Sequence, residues 1–178
     1  MLRWVLDLAR VRRARRVACA IISPMVAKSR HRLGEIPEAT WANPYIVGFL
    51  VMLITILAKT EIGRIEGQTL CRVQAKAWED ITGIKSGIVG EDILLLSAAR
   101  NRDFESGCHN AVGFASHLIG SSVLGWQHQQ FDFGINAATP WSERDDLSLL
   151  WERLFDAHVF DHCDAIEAGA DRASIGHL

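Results

Sequence analysis

The stretch Tyr45-Ile-Val-Gly-Phe-Leu-Val-Met-Leu-Ile-Thr-Ile-Leu-Ala58 decides how this chain folds. As an α-helix its 14 residues reach about 21 Å, short of the hydrocarbon core of a bilayer at about 30 Å. Asn43 and Pro44 precede it, and Lys59 and Glu61 follow, so it cannot be lengthened without taking in polar or helix-breaking residues. A continuous apolar helix of that length is expected in a protein core rather than across a membrane. Pro44 suits its first position, where a missing N–H costs nothing. The segment 44–59 is therefore read as the central helix of an all-α bundle of about six or seven helices. Because such a helix must be covered on every side, a second copy is expected to help cover it, giving a homodimer.

The rest of the composition agrees. The chain has 178 residues, 49% of them hydrophobic and 22% charged, with only four prolines, which excludes a disordered tail or linker and suits one domain over residues 1–178. A chain of this length buries roughly 70% of its unfolded surface and needs neither disulfide nor metal for stability. Cys19, Cys71, Cys108 and Cys163 lie far apart with no C-x-x-C, and are read as small hydrophobes in a reducing, cytoplasmic setting. No internal repeat, low-complexity tract or Gly/Ser linker divides the sequence.

Helical periodicity runs almost throughout. A first helix is expected over 1–22, stopped by Ser23-Pro24 because proline disfavours helical geometry in the residue before it. Further helices are expected over Thr69–Asp80, with Val73, Ala77 and Ile81 as its buried stripe, and from Glu91-Asp92 to Arg100 and Arg102. Another begins at a Ser106 cap and runs to about Val123, and the last covers 142–168. Between these, Gly125 to Pro140 has no period but holds Trp126, His128, Phe131 and Phe133, and is read as an ordered cover over one end.

The net charge of −2 hides two poles. Residues 1–33 carry +8 and the remainder −10, with nine acids against three arginines in 142–178. A basic stretch to Arg16 followed by Val17–Ala27 imitates a signal peptide, but Ser23, Pro24 and Met25 spoil the apolar and cleavage regions. On a wheel Trp4, Leu8, Val11, Ala18 and Ile22 share one side, yet Arg15 interrupts it. A helix that reads DNA or lies on a membrane would divide more cleanly, so nucleic acid is disfavoured. Attachment of Met1–Arg16 to an anionic membrane surface stays open, as does pairing with the acidic helix of the same or a second copy.

Chemistry-bearing residues concentrate late. His158 and His162 stand at i and i+4 beside the stripe Leu147, Leu150, Trp151, Leu154, Phe155 and Val159, where two imidazoles on adjacent turns could share a metal ion while Asp156 or Asp161 orients a ring. Neither H-E-x-x-H nor E-x-x-H accompanies them, so a structural pair is the plainer reading. Asp103, Glu105, Cys108, His109 and His117 form a second group, and His109, Gly113, Ser116, His117 and Gly120 make a strip of small residues suited to close helix packing. If His109 or His117 met His158 and His162 across the bundle, a transition-metal or haem site would result.

Enzyme signatures are missing. There is no G-x-S-x-G elbow, and Cys108-His109 as helical neighbours point about 100° apart. Gly63, Gly67, Gly83, Gly87 and Gly90 build no phosphate-binding loop. The expected function is that of a non-catalytic interaction or assembly protein. A metal- or haem-binding redox protein and a peripheral membrane protein are the alternatives.

Overall fold

A computed structural model describes residues 2–63, 65, 67–85, 89–119 and 147–165. Their elements are α1 (Leu2–Leu33), α2 (Pro44–Ile62), α3 (Gly67–Thr82), α4 (Val89–Ala98) and α5 (Arg102–Ile119). The last helix, α6, begins as Leu147–Trp151, passes through a π turn at Glu152–Asp156 and continues over 157–165. A 3-10 turn at Glu38–Ala42 joins α1 to α2. No strand occurs among the described residues, and the fold is the all-α bundle that the apolar helix predicts. The expected cover at Gly125–Pro140 and both ends of the 142–168 helix lie outside the described residues.

Local chemistry starts α2 where the sequence places it. Asn43 Oδ1 accepts the backbone N–H of Tyr45 at 2.9 Å, and Pro44 follows as the first helical residue. All residues from Tyr45 to Ala58 are buried. By length and composition α2 could cross a membrane, with 19 residues and a mean hydropathy of 1.9, but 78% of it is buried inside the fold. Its cover comes from α1, α3 and α5 of the same chain. Cover for α2 is thus present within the chain itself.

Between α2 and α5 the helices meet backbone against backbone. A Cβ on Gly107 would stand 2.2 Å from the Tyr45 carbonyl oxygen, and one on Gly48 would stand 2.3 Å from that of Phe104. Two backbones thus touch with no side chain between them, which only glycine permits. Ala111 and Ala115 continue the seam along α5, both fully buried. This strip lies about two residues out of phase with the expected one, whose members His109, Gly113, Ser116 and His117 are only half-buried. The sequence contains both strips, and glycine count alone does not say which faces inward.

Two helix boundaries also differ. The first helix does not stop at Pro24 but carries it on its exposed side. Pro24 gives no N–H to the Ala20 carbonyl, a loss that an interior helix position ordinarily feels. Ala20 is exposed too, so water can serve that carbonyl, while Ala14, Ala18, Ile22 and Val26 continue one buried stripe past the proline. Packing overrides the local break. The start of α5 is likewise set by Asn101 rather than Ser106: its Oδ1 accepts from Asp103 and Phe104 N–H at 3.1 and 3.0 Å.

An aromatic chain fills the centre. Trp151 stacks on Phe155 with centroids 4.5 Å apart and meets Phe49 and Phe114 edge-on at 5.7 and 5.6 Å. Trp41 links Phe155 to Trp78. Of the cysteines only Cys108 is buried, whereas Cys71 is exposed, and all four are free thiols.

Candidate functional site

His158 does lie at a junction of elements. Its ring stacks on Tyr45 of α2, centroids 3.5 Å apart and 25° from parallel. The Tyr45 hydroxyl donates to the Leu154 carbonyl at 2.7 Å and accepts from Asn110 Nδ2 at 2.9 Å. Burial holds the His158 imidazole below its ordinary range, against the opposing pull of Asp161 and Asp103. Burial likewise pushes the Tyr45 phenol up to about 12. His162 and His109 are half-buried, and His117 places Nδ1 3.0 Å from the Gly113 carbonyl. Among the described residues no three His, Cys, Asp or Glu side chains come together in a way that could hold a metal ion.

Asp156, which the sequence offered as a partner for a histidine, points instead at α1. Ser29 is fully buried and gives its proton to Asp156 Oδ1 while accepting from Trp151 Nε1 at 2.8 Å. Arg32 pairs with both Asp156 and Glu152. In a regular α-helix residues 151 and 156 would stand about 140° apart and could not both reach Ser29. The π turn, where Ala157 N–H bonds the Glu152 carbonyl, narrows that angle and buries Leu154, Phe155 and Asp156 in succession. Every group in this clamp serves to hold α6 on α1. Sequence reading missed it because its donors and acceptors come from opposite ends of the chain.

The other polar concentration is on the N-terminal half of α1. Arg15 grips Asp80 of α3 with two parallel bonds, Nε to Oδ2 and Nη2 to Oδ1, the latter at 2.6 Å. That bond pattern is the main reason Asp80 sits below the usual carboxylate range. Cys19, one turn on, donates to Asp80 Oδ2 at 3.4 Å, and burial with this contact pushes its thiol up to about 12, so it stays protonated. Arg13 pairs with Glu61 of α2. Among the described residues the basic helix thus finds acids on α2 and α3 through Arg13 and Arg15, and two more on the acidic last helix through Arg32.

Arg15 explains the break in the helical wheel: it flanks the stripe and snorkels out to Asp80 instead of entering the core. Beside it an open groove of about 580 Å³ is lined by Arg12, Arg15, Arg16, Cys19, Ala20 and Asp80. Arg10, Arg12 and Arg16 are exposed and have no ion-pair partner among the described residues. Charge sign and spacing of these arginines were legible in the sequence, but the wall that Asp80 and Cys19 supply was not.

The reactive groups elsewhere are subdued. Cys108 Sγ lies 3.5 Å from the Gly48 carbonyl, and burial holds its thiol up to about 12, so it offers no thiolate beside His109. Comparison with known proteins gives no match: no family model fits the sequence, and neither a curated protein nor a solved structure is significantly similar.

Proposed function

We propose that this chain is a non-catalytic interaction protein that receives a negatively charged partner on the outer face of α1. The observation that carries the reading is the surplus of arginine on that face. Arg13 and Arg15 are engaged by acids of the body, whereas Arg10, Arg12 and Arg16 within the same two turns are exposed and unpaired among the described residues. Like charges three or four residues apart on a helix repel one another, so the arrangement weakens the free helix and favours whatever anion relieves it. A chain with a net charge of only −2 then carries a strongly positive local field, which steers association with partners of opposite sign.

The test is retention on a sulfated polysaccharide matrix in a rising salt gradient. Wild-type protein is expected to bind at low ionic strength despite its negative net charge. The R10E/R12E/R16E variant is expected to flow through. Failure of the wild type to bind at about 50 mM salt, where screening is weak, sinks the proposal.

A further inference from the structure

We propose that the groove beside Arg15 is a binding site for a phosphoryl group, presented either by a small phosphate compound or by a phosphomonoester lipid headgroup. This deepens the interaction reading above and rests on it. The groove differs from a generally basic surface in having a fixed member. Arg15 is locked by its two bonds to Asp80, and uses only Nε and one hydrogen of Nη2 in doing so. Its remaining N–H groups are free of Asp80 and already ordered, so binding an anion there loses little side-chain entropy.

Arg12 and Arg16 stand one turn apart on the same helix and line the same groove. Three guanidinium groups against one carboxylate leave the groove at +2, which matches the charge of −1.5 to about −2 on a phosphomonoester near neutral pH. Asp80 is already counted in that balance, its oxygens accepting from Arg15 and Cys19. Cys19, being protonated, adds no negative charge. All the cations are arginines, whose planar fork meets two phosphoryl oxygens at once in a way a lysine cannot. At about 580 Å³ the groove exceeds what one phosphate needs, leaving room for the group that bears it.

Two probes separate the sources. Full-length protein is titrated with pyrophosphate in a calorimeter at constant ionic strength, with sulfate as the control anion, and is co-sedimented with vesicles containing phosphatidic acid or, at matched surface charge, phosphatidylglycerol. Binding is expected in at least one phosphoryl arm, pyrophosphate pointing to a soluble ligand and phosphatidic acid alone to a headgroup. R12Q/R16Q is expected to weaken that binding at least about tenfold while R10Q, outside the groove, leaves it unchanged. Both substitutions are at exposed positions, and an unchanged melting temperature without ligand verifies that the variants fold. The proposal is overturned if neither phosphoryl probe binds, if sulfate or phosphatidylglycerol binds as well as its phosphoryl counterpart, or if R12Q/R16Q binds as tightly as wild type. Retention on the sulfated matrix together with any of these results would leave the interaction reading standing and remove only the phosphoryl ligand.

Discussion

Two seams hold this bundle together, and they are made of opposite materials. Between α2 and α5 the contact is backbone on backbone through Gly48 and Gly107, with Ala111 and Ala115 behind them and no charge involved. Along α1 the rim is arginine on acid: Arg13 on Glu61, Arg15 on Asp80, and Arg32 on Glu152 and Asp156. The first kind depends on shape, tolerates no added atom and is indifferent to salt. The second depends on charge in a partly wet setting, where an individual pair contributes little and an arginine can be left over for another task.

Substitutions separate the two kinds. Gly107→Ala is expected to have the largest effect, because the new Cβ meets the Tyr45 carbonyl and the Phe49 amide rather than a side chain that could swing away. The cost is about 3 kcal/mol, a fall of about 10 °C in melting temperature measured calorimetrically. A melting temperature within a degree or two of wild type would mean that the two backbones do not approach as described. Asp156→Ala comes next, at about 2 kcal/mol in a denaturant titration, since it removes the carboxylate that accepts from both Ser29 and Arg32, while Trp151 keeps Ser29 Oγ as its acceptor. The loss is moderated because the Arg32 side chain is 34% exposed and water can replace part of the bond.

A smaller effect comes from His158. Its folded-state pKa is depressed, so below its ordinary value of about 6.5 the unfolded chain takes up the proton more readily than the folded one. Stability therefore falls as pH drops from 7 toward 5, and His158→Gln is expected to flatten that limb of the pH profile. An unaltered slope in the variant would assign it to another group. Smallest of all is Asp80→Asn, at about 0.5 kcal/mol, because the pair is one-third exposed. The Asp80 pKa is lowered, so its contribution is complete above the unfolded carboxylate value of about 3.9 and is lost as pH falls through the folded one. The difference from wild type is expected to shrink further in 1 M salt.

Legibility in the sequence followed the same division. The run from Tyr45 to Ala58 announced its own burial, and the α3 stripe of Val73, Ala77 and Ile81 was correctly placed, because apolar periodicity is a local signal. Pro24 misled because its local penalty is real but small beside the stripe that continues past it. The inward seam of α5 is Gly107, Ala111 and Ala115 rather than the strip at His109, Gly113, Ser116 and His117, because α5 has small residues on two faces and only the partner helix chooses between them. Ser29, Asp156 and the groove with Asp80 were invisible for a simpler reason: each is assembled from residues more than 60 positions apart, and no spacing rule reaches that far.

The π turn in α6 carries a last consequence. It holds one residue more than an α-helix needs to cover the same rise, so everything beyond it is turned relative to what precedes. Winding this stretch as a regular α-helix with every residue kept would turn all that follows by about 100°. Tyr45 would lose its imidazole neighbour and Val159 would leave the core, although neither side chain had been altered. Over these last turns the tally of residues, as much as their chemical nature, dictates which ones face inward.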